Sequence, residues 1–178
     1  MEEYPMSTIN PKDVAKAALA AAVLTIAAGS AQAQKPYVFT AIDTSQHGAD
    51  VMGGDYEAAI ARIHQGRDAE LGFSENTNLC IAYTKSRSTA NAIESCNRAV
   101  AIAREKNGLR WLATSSAPDG RRRKDLDLVI ALSNRSVAYA TMGEHALALD
   151  DLQEARALKP RWSAVSTNLA ILTEATAR

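Results

Sequence analysis

Aromatic residues are scarce in this chain, 5% of 178 positions, although 47% of its residues are hydrophobic. Few bulky side chains argue against a sheet held by aromatic cross-strand pairs, and abundant alanine favours closely packed helices. A net charge is missing too. Twenty Lys and Arg balance twenty Asp and Glu, so no global field draws the chain to nucleic acid. The three histidines, His47, His64 and His145, are scattered, with no CxxC or paired-His spacing to suggest a metal site. No nucleophile elbow, phosphate loop, dinucleotide fingerprint or HExxH is present. Neither a catalytic residue nor a cofactor is predicted. Asp150 and Asp151 are neighbours on a predicted helix and point about 100° apart, which suits a solvated face better than a shared-proton pair. The run Arg121 to Lys124 reads as a solvated charged segment.

A membrane-spanning length is also lacking. The apolar run Ala17 to Gly29 falls short of the about 20 residues a bilayer needs. Lys12 and Lys16 precede it, and Ala31-Gln32-Ala33 follows with the small-x-small pattern of a signal peptidase site. Residues 1–33 are predicted to be a signal peptide cleaved before Gln34. Starting at Met6 would remove Glu2 and Glu3 from a region that is normally positive. The expected location is outside the cytoplasm, the periplasm in a Gram-negative cell, with no stable membrane span after cleavage.

What is present is helical punctuation. Residues 34–52 read as an irregular, loosely ordered lead-in with a short β-prone piece, Tyr37 to Thr40. Gly53-Gly54-Asp55 is a turn ending in an N-cap, and a short amphipathic helix follows to about Gly66. Helices are predicted at 73–86 and 89–105, with Asn107-Gly108 as a stop. Residues 108 to about 123 read as a turn-rich linker. Helices at 125–142, 145–158 and 162–176 complete the chain, with Gly143 and Pro160 as breaks.

A shift of 56 residues matches the chain to itself. Asn78 falls on Asn134, Ala82 on Ala138, Tyr83 on Tyr139, Ala92 on Ala148 and Ala99 on Ala155. The shift equals 34 plus a 22-residue insertion, and a further 34 carries Asn134 to Asn168. Ala148 and Ala155 lie two turns apart on one face and permit two helices to approach closely.

A helix–turn–helix period of 34 residues is that of the tetratricopeptide repeat. Residues 131–160 resemble one unit of it: Ala138-Tyr139, Gly143, Ala148, Ala155 and Pro160 stand where the family has its alanine–tyrosine pair, turn glycine, small second-helix residues and closing proline. Leu132 replaces the family's first-helix tryptophan and Ser136 its small glycine. The upstream copy departs further, with Arg87 for the turn glycine and Arg104 for the proline. The fold this implies is all-α, a short solenoid of antiparallel helix pairs. It has a partial repeat at 40–72, a repeat at 73–106, an inserted linker at 107–128, a repeat at 129–162 and a capping helix at 163–178.

Cys80 and Cys96 are the only cysteines. Their midpoint is residue 88, the turn between two predicted antiparallel helices, so the two sit at one height. In an exported chain this predicts a disulfide. Two buried free thiols are the alternative.

Members of the family bind peptides or helices in a concave groove lined by first helices. Carried over, the resemblance implies a groove of Asn78, Ile81, Lys85, Ser133, Asn134, Val137, Thr141 and Asn168, with Thr77, Thr84, Ile130, Ala140, Thr167 and Ile171 nearby. Asn78, Asn134 and Asn168 form a ladder at repeat spacing. An Asn amide both donates to and accepts from an extended backbone; the equal alternative is that the same residues bond between adjacent repeats. The family's clamp for a terminal carboxylate is not predicted, because Ile81 and Val137 replace its polar groups. The expected function is a non-catalytic protein–protein interaction module, and the alternative is a self-associating subunit of an envelope assembly.

Overall fold

A computed structural model of the protein describes residues 35–44, 47–65, 70–113 and 118–177, with only the backbone at 108–113 and 118–125. The predicted signal, residues 1–33, and the alternative start at Met6 lie outside the described residues. The described residues form seven helices and no strand. They are α1 (Gly48–Gly53), α2 (Tyr56–His64), α3 (Phe73–Lys85), α4 (Thr89–Ala113), α5 (Pro118–Thr141), α6 (His145–Leu158) and α7 (Ser163–Thr176). None is long and apolar enough to cross a membrane.

Local chemistry fixes the boundaries. Asp55 caps α2, its carboxylate accepting the Ala58 N–H at 3.2 Å, as expected of an N-cap. The α3–α4 and α5–α6 turns are the same motif 56 residues apart. In the first, Ser88 N–H donates to the Tyr83 carbonyl (2.9 Å) and Arg87 N–H to that of Thr84 (3.2 Å). In the second, Glu144 N–H donates to Tyr139 (3.0 Å) and Gly143 N–H to Ala140 (3.2 Å). This paired closure requires a left-handed residue after the helix. Gly143 supplies it at φ 82°, and Arg87 is forced into it at φ 60°.

Two expectations need correcting. Within the insertion at 107–128 the described residues are helical rather than turn-rich: α4 runs through Asn107-Gly108 to Ala113, and α5 starts at Pro118, while 114–117 lie outside the described residues. A mid-helix glycine costs only about 1 kcal/mol, and the good helix formers after it, Leu109, Arg110, Leu112 and Ala113, carry the helix on. Proline suits the first turn of a helix, where its missing N–H has no intrahelical partner. The segment 35–44 is held in place rather than loosely ordered: residues 38, 40 and 42 are bonded to the helices at every second position, as in an extended chain, and 43–44 form a turn; we call it the strap.

Consecutive helices pack on one another, and α1, α3, α5 and α7 also touch in that order. The main core joins α4 to α7, with Leu132, Ala148, Leu152, Ala155 and Val165 at its centre and Phe73 of α3 closing it. Ala92, Ala99, Ala148 and Ala155 are all buried, so the small residues lie where helices meet. Cys80 and Cys96 form a disulfide between α3 and α4, with their Cα atoms 4.7 Å apart.

Asp151 departs from the expected solvated face. It is buried and held by Arg135, Nε to Oδ2 at 2.8 Å and Nη2 to Oδ1 at 2.7 Å. Arg135 Nη1 also donates to Asn97 Oδ1 at 2.9 Å, and its guanidinium lies 5.7 Å from the Tyr139 ring centre. One side chain therefore ties α5 to α6 and α4. Hydrogen bonding to Asp151 raises the Arg135 pKa further above its ordinary value, against the effect of burial. Asp150 is exposed, as expected.

Candidate functional site: an asparagine ladder and its strap

Three buried asparagines at corresponding positions of α3, α5 and α7 point at one extended segment. Asn168 Oδ1 accepts the Val38 N–H and its Nδ2 donates to the Val38 carbonyl, both at 2.7 Å. Asn134 does the same to Thr40, both bonds at 2.9 Å. Asn78 repeats it on Ile42, at 3.0 and 3.1 Å. An amide offers one acceptor and one donor side by side, and in a β-like strand the N–H and C=O of alternate residues face one edge. Residues 38, 40 and 42 share that parity, so three identical amides read every second residue. The strap thus crosses α7, then α5, then α3, opposite to the order of the helices in the chain.

The amides are at most 1% exposed, and these six bonds to the strap all go to its main chain. Bonds of this kind do not depend on which side chains the strap carries. Six neutral bonds at about 1 kcal/mol each hold the strap by several kcal/mol at most. Asn168 Nδ2 also lies 3.3 Å from Ser133 Oγ, so one rung bonds between repeats as well. The bond between adjacent helices occurs at one rung, and at all three rungs the amides hold the main chain of the protein's own segment.

The remaining groove residues gather around the strap. Ser133 is fully buried and supports Asn168 rather than facing the strap. Ile81 is buried in a small cluster with Val51, Ala59 and Ala82, against which Phe39 and Ala41 pack. The Lys85 ammonium sits 5.3 Å from the Phe39 ring centre. Val137, Thr141 and Met142 line a cleft of about 610 Å³ beside Pro36, Tyr37 and Phe39. Thr141 Oγ1 donates to its own helix at Ala138 (2.8 Å), and Thr84 does likewise at Cys80 (2.6 Å). Burial pushes the Tyr37 hydroxyl pKa upward. Thr77, Ile130 and Ile171 are buried, and Thr167 is exposed.

The strap itself was the missed element. Its signal was the run of aromatic and β-branched residues in Tyr37-Val38-Phe39-Thr40-Ala41-Ile42, legible as a strand but with no second strand in the sequence to pair with. Gly48 was missed as well. A Cβ there would lie 2.2 Å from the Ile42 carbonyl oxygen and 2.7 Å from the Asp43 Cα, so only glycine lets the start of α1 come so close to the strap's end. Comparison with family models, with curated proteins and with solved structures finds no match for this chain.

Proposed function

We propose that this chain is an exported, non-catalytic helical-repeat protein of tetratricopeptide kind, which works by holding an extended peptide across its inner helices. One observation carries the reading. Amides at three repeat-related positions, Asn78, Asn134 and Asn168, each bond both main-chain groups of an extended segment. That geometry is how a groove binds a peptide by its backbone while leaving side chains to adjacent clefts. The matched turns at 87–88 and 143–144 support the repeat. The Cys80–Cys96 disulfide is compatible with an oxidising compartment.

The test is capture of partners from the cell envelope by the mature chain and by its Asn134→Ala variant, with helicity checked by circular dichroism. The reading requires partners that the wild type retains and the well-folded variant loses. Identical capture by both removes it.

A further inference from the structure

The asparagines satisfy one edge of the strap and leave the other open. In an extended chain the N–H and C=O of one residue face the same edge, and those of the next residue face the opposite edge. Val38, Thr40 and Ile42 turn theirs to Asn168, Asn134 and Asn78. Tyr37, Phe39 and Ala41 therefore turn theirs away from the three helices. Among the described residues, none of their main-chain groups takes part in a hydrogen bond. Unpaired N–H and C=O groups in a row on a strand edge are a template for a further strand. Pro36, which has no N–H, belongs to the inner parity and removes nothing from the open edge.

The strap's own sequence identifies the strand that fits. Two straps related by a two-fold axis run antiparallel, and only residues of outward parity meet in bonded pairs. With Phe39 on the axis, Tyr37 of one copy lies opposite Ala41 of the other, and Val38 opposite Thr40. The same register sets Lys35 opposite Asp43 at both ends of the ribbon. Both residues are exposed, and opposite charges facing each other across a strand pair stabilise it. Sliding one copy by two residues, the smallest step that keeps the parity, separates Lys35 from Asp43 in either direction. Phe39 then loses its own copy as well, an aromatic cross-strand pair.

We propose that the open edge of the strap is a dimerisation surface, pairing with the strap of a second copy in a two-stranded antiparallel ribbon centred on Phe39. Each outward pair exchanges two hydrogen bonds, while the asparagines keep the inner edge. Neither strap leaves its helices. The ribbon rests on the seated strap and not on the groove's taking a foreign peptide.

The test is sedimentation of the mature chain over a concentration series, with circular dichroism on every variant. The wild type should pass from monomer to dimer as concentration rises. Ala41→Pro removes one outward N–H from each copy and should weaken the dimer about ten-fold or more. Lys35→Glu sets like charges at both ends and should weaken it several-fold at low salt, and adding Asp43→Lys should restore it. These two positions are exposed, so the charge reversal decides alone should Ala41→Pro disturb the fold. The register is read by single cysteines, since Cys80 and Cys96 are joined to each other. Phe39→Cys should cross-link to its own copy on mild oxidation, because bonded antiparallel pairs have Cα atoms about 5.5 Å apart. Val38→Cys should not, being diagonal to its own copy at about 7–8 Å. A wild type that stays monomeric throughout overturns the proposal. So does a dimer that ignores the charge reversal, or one that cross-links with Val38→Cys as readily as with Phe39→Cys. A monomer whose envelope capture depends on Asn134 keeps the peptide-module reading and removes only the ribbon.

Discussion

Asn134 and Thr40 lie 94 residues apart and exchange two hydrogen bonds of 2.9 Å, amide to main chain and main chain to amide. Replacing Asn134 with alanine removes the central rung. Two neutral bonds are worth about 2 kcal/mol together, and the loss should fall on the strap before the helices. Hydrogen exchange should speed up at the amides of Val38, Thr40 and Ile42 while the amides of α6 keep their protection. Uniform loss of protection would mean that the rung supports the whole fold instead.

Arg87 and Gly143 hold the same turn position with different strain. A left-handed conformation costs a non-glycine residue about 1–2 kcal/mol. Arg87→Gly relieves that, less the about 0.4–1 kcal/mol that glycine's flexibility adds to the unfolded chain. The variant should gain about 0.5–1 kcal/mol in urea unfolding. Gly143→Ala should lose about 1 kcal/mol by the same rule, with no steric contribution because a Cβ there meets nothing within 4 Å.

The disulfide lies across the hairpin that carries the strained turn. Its cysteines are 16 apart in sequence, and closing such a loop contributes about 3 kcal/mol. Reduction, or Cys80→Ser with Cys96→Ser, should lower the free energy of unfolding by about that amount, read as a lower denaturant midpoint at unchanged slope. The disulfide and Arg87→Gly should add independently if the turn and the bridge are separate contributions. Coupling in a double-mutant cycle would show the bridge holding Arg87 in place.

Arg135 and Asp151 form the protein's most enclosed ion pair among the described residues, with side chains 16% and 7% exposed. Arg135→Met leaves Asp151 buried without its partner, and breaking a buried pair costs about 3–5 kcal/mol. Arg135→Met with Asp151→Leu should recover most of that loss, and failure to recover would assign the cost to packing against Tyr139 and Asn97.

Much of this was legible because repeat-related residues obey local rules. Gly143 and Pro160 broke helices where expected, and the cysteine midpoint found the disulfide. The 56-residue shift found the ladder before its occupant was known. Three features escaped. The strap has no strand partner, since its edge is satisfied by side chains up to 130 residues away, and short-range patterns do not carry such contacts. Asn107-Gly108 looked like a stop, but one glycine is too weak a signal to end a helix whose other residues favour it. Asp151 looked solvated because its partner, Arg135, sits 16 positions back on another helix, a spacing that no single-helix pattern reveals.

The direction of the strap orders how the molecule can close. Ile42 meets Asn78 across 36 residues, Thr40 meets Asn134 across 94, and Val38 meets Asn168 across 130. As the chain emerges amino end first, the strap is made before any of its rungs, and they arrive in the order 78, 134, 168. Closure therefore zips backwards, from Ile42 towards Val38. Its last tooth engages only when α7 has formed, so a seated Val38 reports that α3, α5 and α7 are all in place.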